Sequence, residues 1–350
     1  AAPATANNPQ KNASVVIATY QTLGVDRDDS DDSFLTRNYP ENYFSHIIID
    51  ECHRSAWGKW SQVLTRNSDA VQIGLTATPR SFQYVENNEA SKTDEQITAD
   101  NLAYFGEPVY EYSIGQGIED GYLAAMEIIT NDIFLDSNIS AEWIAGLEQD
   151  ALAGKILTDP ETGEEVSLEE AKERYEASSF ESKLMIPERV KAMCESLFNY
   201  LVASGGPEQK TIIFCARDRH ADNVAIEMNN LYSNWCTDNG MERVEDYAFK
   251  CTAAGGKDYL SELKGSTRHH FIATTVDLLT TGVDVPPVVN IVFFRYVRSP
   301  IAFYQMVGRG TRIHAPTNKL MFKVYDYTNA TRLFGHDFVI IKREEGETGE

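Results

Sequence analysis

His46-Ile47-Ile48-Ile49-Asp50-Glu51-Cys52-His53 sets three consecutive isoleucines directly before two carboxylates. A run this short, apolar and β-branched reads as a strand of a parallel sheet buried on both faces. Open α/β sheets bind ligands at the C-terminal ends of such strands, which places Asp50 and Glu51 at a binding edge. Adjacent carboxylates there suit a hard cation and a water molecule. One can hold Mg2+ through its water shell while the other orients and deprotonates a water aimed at a phosphorus atom.

Working outward, similar runs recur at Val15 to Ala18, Val71 to Leu75, Thr211 to Phe214, Phe271 to Ala273, Val288 to Phe294 and Leu320 to Tyr325. Between them lie stretches of helical spacing, notably Pro187 to Ala203, stopped by Ser204-Gly205-Gly206, and Asp218 to Tyr232. Strands alternating with helices predict an α/β architecture. The chain has 350 residues, of which 42% are hydrophobic, enough for two cores of roughly 100 to 200 residues each. The interval from Ser81 to Lys210 is poor in strand signals and predicts a junction between two sheets. The expected domains are 1–127 and 128–342, with an acidic helical insertion at about 136–185 and a frayed charged tail at 343–350. Within the insertion, Ser167 and Glu170 form a capping box.

Three further constellations carry chemistry. The second strand ends in Thr76-Ala77-Thr78-Pro79-Arg80, where two hydroxyls at a sheet edge can bond the neighbouring carboxylate or His53; an ordinary turn closed by a hydroxyl is the alternative. In Gln305-Met306-Val307-Gly308-Arg309-Gly310-Thr311-Arg312, the spacing of Arg309 and Arg312 predicts that both guanidiniums point the same way on a helical turn. Two such forks suit a developing phosphoryl charge. In Ala273 to Pro286, Thr274 can bond a backbone phosphate and the turn from Gly282 to Asp284 can reach toward a nucleotide.

Composition constrains the partners. The 53 acidic and 31 basic residues give a net charge of −22, whereas a nucleic-acid binder is expected to carry a basic footprint. A chain of this charge can bind nucleic acid only locally, through amides, hydroxyls and a few arginines. The acid is clustered, at Asp26 to Asp32 and at Asp159 to Glu181. The five cysteines are widely spaced with no CxxC pair, which predicts free thiols in a reducing cytoplasm, with Cys215 buried. No run of about 18 apolar residues occurs, and no membrane partner is expected.

Taken in order, these residues resemble the superfamily-two helicases and translocases. The matches are motif Ib (Ile17-Ala18-Thr19-Tyr20-Gln21), motif II (Asp50 to His53), motif III (Thr76 to Thr78), motif IV (Ile212 to Arg217), motif V (Ala273 to Asp284) and motif VI (Gln305 to Arg312). Within that superfamily the wording TYQTL, IIIDECHR, GLTATPR, TIIFCA, LLTTGVDVP and QMVGRGTR is similar to the restriction (R) subunits of type I restriction systems.

The resemblance implies two RecA-like lobes with mainly parallel sheets, the first incomplete, acting as an ATP-dependent translocase of double-stranded DNA before endonucleolytic cleavage. It implies ATP and Mg2+ as cofactors, and modification (methyltransferase) and specificity subunits as partners. Asp50 and Glu51 would serve Mg2+ and the attacking water, and Arg309 and Arg312 would complete catalysis. His53, Thr76, Thr78, Gly282, Asp284 and Gln305 would bind ATP or couple it to movement, with Thr19, Tyr20, Arg217 and Thr274 along the DNA.

The departure is that no GxxxxGK[ST] loop occurs in the sequence. The expectation is therefore an N-terminally truncated motor, inactive in isolation. Two alternatives stay open: another superfamily-two DNA or RNA helicase, and a non-catalytic nucleic-acid or protein binding module without a phosphate-binding loop.

Overall fold

The computed structural model describes residues 2–4, 8–23, 33–52, 61–76, 102–131, 187–252, 255–266, 268–277 and 284–337. The acidic clusters, the insertion, the tail, His53, Thr78 and Gly282 lie outside the described residues. The chain divides into two compact units, Ala1–Glu111 and Tyr112–Glu350.

The first unit opens with β1 (Ala2–Pro3), which pairs in parallel with β2 (Val16–Ile17). Next come α1 (Tyr20–Leu23) and α2 (Phe34–Asn38), the latter capped by the Ser33 hydroxyl, which accepts from the Thr36 amide at 3.1 Å. Then follow β3 (His46–Ile49), α3 (Gln62–Thr65) and β4 (Val71–Gly74). β3 and β4 pair in parallel, His46 opposite Val71 and Ile49 opposite Gly74. Phe34, Leu35, Tyr39 and Val63 form one core cluster, and Ile49, Cys52 and Leu64 a second; Tyr20 and Ile47 pack against both.

Burial on both faces of β3 is not what the structure shows. Ile48 is 67% exposed and Val71 54%, because the pleat sends alternate side chains to opposite faces and the buried clusters cover one of them.

The second unit is built on one sheet. Its elements are α4 (Ile114–Glu119), β5 (Ala125–Thr130), α5 (Pro187–Ala203), β6 (Thr211–Phe214), α6 (Asp218–Asn239), β7 (Ala248–Lys250), α7 (Leu260–Gly265), β8 (Ile272–Thr275), β9 (Asn290–Phe293), α8 (Pro300–Val307) and β10 (Met321–Asp326). The six strands run in the order β5-β10-β9-β6-β8-β7, and every pairing is parallel.

Every residue of β6, β8 and β9 is buried. On one face, α5 presents Val190, Met193, Cys194, Leu197 and Leu201, and α6 presents Ala221, Val224, Met228 and Tyr232, against Ile213, Ile272, Val292 and Tyr325. Both helices carry these residues at three- and four-residue spacing. On the other face, Phe303 of α8 stacks on Phe293 at 5.4 Å between ring centres, and Phe293 on Phe214 at 5.9 Å.

Two strands of this unit escape the sequence reading. β5 is a half-buried edge strand interrupted by Glu127, and β7 has three residues, so neither shows the long apolar run of a central strand. β5 pairs along its length with β10, so residues 125–127, expected in the first domain, lie in the sheet of the second unit, which begins at Tyr112. α6 continues past Tyr232 to Asn239, where Gly240 at φ 64° ends it in the left-handed conformation. All five cysteines are buried thiols outside any disulfide. Among the described residues no helix is long and apolar enough to cross a membrane.

His220, in the first turn of α6, is fully buried, and its Nδ1 accepts from the Ala216 amide at 3.2 Å. Burial, reinforced by the Arg189 and Arg295 guanidiniums, pulls its pKa down from 6.5 to about 3. Between those values the unfolded chain binds a proton that the folded chain does not, so stability falls as pH drops through this window. Below pH 6.5 the His220 contribution is expected to decline by about 1.4 kcal/mol per pH unit. Denaturant unfolding at about pH 7 and about pH 5 should show this slope, and His220→Gln should flatten it.

Candidate functional site

Asp50, Glu51 and Thr76 stand at the C-terminal ends of β3 and β4. The Cys52 amide donates to the Leu75 carbonyl at 2.9 Å and the Leu75 amide to the Ile49 carbonyl at 2.8 Å, so the ladder runs past both strands. Asp50 is exposed, and its Oδ1 accepts from the Glu51 amide at 3.0 Å. Glu51 sits at φ 55°, a left-handed conformation costly for a non-glycine residue and concentrated at functional turns.

Cys52 is buried, and that burial pushes its thiol pKa up; it acts as an apolar plug and not as a nucleophile. A Cβ on Gly74 would lie 2.9 Å from Cys52 Sγ, so glycine is what lets β4 close on the plug. Thr76 follows directly and is exposed.

Asp50 and Glu51 offer the hard oxygen donors that Mg2+ takes. Among the described residues no group of three or more His, Cys, Asp or Glu can hold a metal ion. A cation here fits as one held by one or two carboxylates, with water and phosphate oxygens filling its shell.

The other first-unit candidates are placed differently. The Thr19 hydroxyl accepts from the Thr22 amide at 3.2 Å and so starts α1. The Tyr20 ring packs against both core clusters.

In the second unit the candidates separate to opposite edges of the sheet. Arg217 stands at the C-terminal edge, in the N-cap position of α6 beyond β6. Arg295, which the sequence reading passed over, is beside it: it follows β9, and its Nη1 donates to Asp277 Oδ1 at 2.9 Å and to the Val276 carbonyl at 3.2 Å. It leaves an apolar strand just as Asp50 does, a signal that was there to be read. The expectation for Thr274 is overturned. Its side chain is fully buried and its hydroxyl donates to the Ala221 carbonyl at 2.8 Å, tying β8 to α6. That hydroxyl cannot bond a phosphate in this fold.

Gln305, Arg309, Arg312 and Asp284 lie toward the N-terminal edge. Arg312 bridges Leu123 just before β5, and the Ala124 amide donates to the Thr311 carbonyl at 2.7 Å. Arg309 and Arg312 do not share a helical turn. α8 ends at Val307, tightens through Gly308 and Gly310, and leaves Arg312 extended. Residue 310 must be glycine for this turn to pack on β10, because a Cβ there would lie 2.2 Å from Phe322 Cδ2.

Arg309 is half-buried, while Arg312 is exposed and meets Asp284 Oδ1 through Nε at 3.5 Å. Behind this pair Lys319, also missed from sequence, is buried, with Nζ donating to the Gly310 carbonyl at 2.7 Å and the Pro286 carbonyl at 3.1 Å.

Residues 3–81 match the family model described as "Type III restriction enzyme, res subunit", and residues 188–314 match the helicase conserved C-terminal domain. The chain is 33% identical over 302 residues to the EcoAI type I restriction endonuclease subunit of Escherichia coli, an alignment covering 85% of this chain and 33% of that protein. It is 30% identical over 349 residues to the EcoKI endonuclease subunit of E. coli K12, covering 91% of this chain and 26% of that one. The chain thus spans about a third or less of these relatives' lengths. A solved fragment assigned to the HsdR subunit of a type I restriction enzyme from Vibrio vulnificus YJ016 superposes with a TM-score of 0.65 at 29% identity, covering 96% of this chain and 52% of that one.

Gly310→Ala is expected to destabilise the protein by about 1–3 kcal/mol through overpacking. A thermal unfolding midpoint equal to wild type would show that the contact with Phe322 does not shape this loop.

Proposed function

From a chain that is superfamily-two helicase-like and similar to the R subunits of type I restriction enzymes, we propose a motor function. It couples ATP hydrolysis to translocation of double-stranded DNA, inside a cytoplasmic restriction complex with modification and specificity subunits, ahead of endonucleolytic cleavage. The observation that carries this reading is the end of β3, where two carboxylates leave a parallel strand and Glu51 is held at φ 55°.

Bound with ATP, Mg2+ would supply charge neutralisation at the phosphates. Asp50 would hold that cation through its water shell. The Glu51 carboxylate accepts the proton of the attacking water. The Arg309 and Arg312 guanidiniums donate hydrogen bonds to the phosphoryl oxygens as charge builds there. Asp284 orients Arg312 and Gln305 lines the nucleotide, with His53, Thr78 and Gly282 in the supporting roles that the motifs imply. Thr76 relays the nucleotide's state. Arg217, Thr19 and Tyr20 follow the DNA backbone; Thr274 drops out because its hydroxyl is spent inside the sheet. A net charge of −22 is compatible with such a grip when positive side chains meet phosphates locally.

In the full-length protein, Glu51→Gln should keep ATP binding and lose DNA-stimulated hydrolysis; unchanged turnover would remove Glu51 from the mechanism. Arg312→Ala should lower kcat by roughly a hundredfold or more. A change confined to KM would make Arg312 a binding residue. In the same assay, separation of the two DNA strands would favour a helicase over a translocase.

A further inference from the structure

We infer that Lys319 is a positioning residue for phosphoryl transfer, fixing the loop that carries Arg309 and Arg312 against the segment that carries Asp284; the inference rests on the motor reading above.

Lys319 is flanked by exposed residues, Asn318 and Leu320, yet is itself only 4% exposed. Its backbone is held by a short turn, its amide donating to the His314 carbonyl at 3.0 Å and the His314 amide to its own carbonyl at 3.2 Å. Asn318, at φ 55°, closes that turn. The side chain runs inward, with Nζ 5.9 Å from the centre of the Phe322 ring. Burial pulls its pKa from 10.5 to about 8, partly offset by the Asp284 carboxylate. Burying an amine is costly, and an apolar side chain of the same length would pack there without that penalty. Two hydrogen bonds are what the amine adds.

Both bonds go to main-chain carbonyls at informative places. Gly310 lies between the two arginines, and Pro286 lies two residues beyond Asp284. Lys319 therefore joins, through the backbone, the two segments whose side chains meet as Asp284 and Arg312. That ion pair is 55% and 64% exposed, and an exposed pair contributes little to holding its own geometry. The buried amine supplies what the exposed pair lacks. Catalytic charge must be in place before the reaction, and a displacement of about 1 Å can cost a hundredfold in rate.

The test is a double-mutant cycle in the full-length protein, reading DNA-stimulated ATPase and thermal unfolding. Lys319→Met should lower kcat about tenfold or more, with KM for ATP within about twofold of wild type. In the Arg312→Ala background the same substitution should cause a clearly smaller loss than in wild type, what remains acting through Arg309. If Lys319→Met does not fold, Lys319→Gln, whose shorter side chain ends in an uncharged amide, takes its place under the same criterion. Wild-type kcat in the variant, or an equal loss in both backgrounds, would overturn the inference. A wild-type protein without DNA-stimulated hydrolysis would instead overturn the motor reading, and this inference with it.

Discussion

Parallel pairing of strands buried on both faces is the constraint from which the second unit follows. Backbone N–H and C=O groups shut away from water must bond one another, and in β6, β8 and β9 they do so across a continuous parallel ladder. The side chains then need cover above and below. The long amphipathic helices α5 and α6 provide it on one side, and the aromatic packing of α8 on the other. Parallel strands also share a direction, so each edge of the sheet collects chain segments of one kind. What leaves the strands gathers at one edge and what enters them at the other.

That sorting separates two chemistries. Arg217, Asp277 and Arg295 follow strands at the exit edge, where Arg295 pairs with Asp277. Asp284, Arg312 and Lys319 precede strands and meet at the entry edge. A sheet that holds both edges rigidly can relate events at one to events at the other without a flexible relay. The first unit shows a tighter version of the same economy: Cys52 and Gly74 interlock directly behind Asp50 and Glu51, so the carboxylates project from a packed floor.

Strong local signals made much of this legible in the sequence. Thr211–Phe214 and Pro187–Ala203 have the same limits in the sequence reading and in the structure, because an uninterrupted branched run and a three-to-four periodicity admit few other readings. β5 was illegible because an edge strand half in water tolerates Glu127, and β7 because three residues carry no period.

The site was less legible than the fold, since its geometry depends on contacts distant in sequence. The spacing of Arg309 and Arg312 fits a helical turn, but α8 ends at Val307 and the chain beyond it packs, through Gly310, on Phe322 of another strand. Thr274 has the right side chain at the end of a strand, yet its direction is set by α6. Lys319 reads as surface charge until the carbonyls of Pro286 and Gly310 are seen around it.

The pairing of β5 with β10 joins nearly the first and last strand-forming residues of the second unit, Ala125–Thr130 beside Met321–Asp326. A sheet seamed in this way makes its two chain ends mutual anchors. Removing either strand would strip the other of a hydrogen-bonded neighbour, so a truncation at one end of the unit is felt at the opposite end.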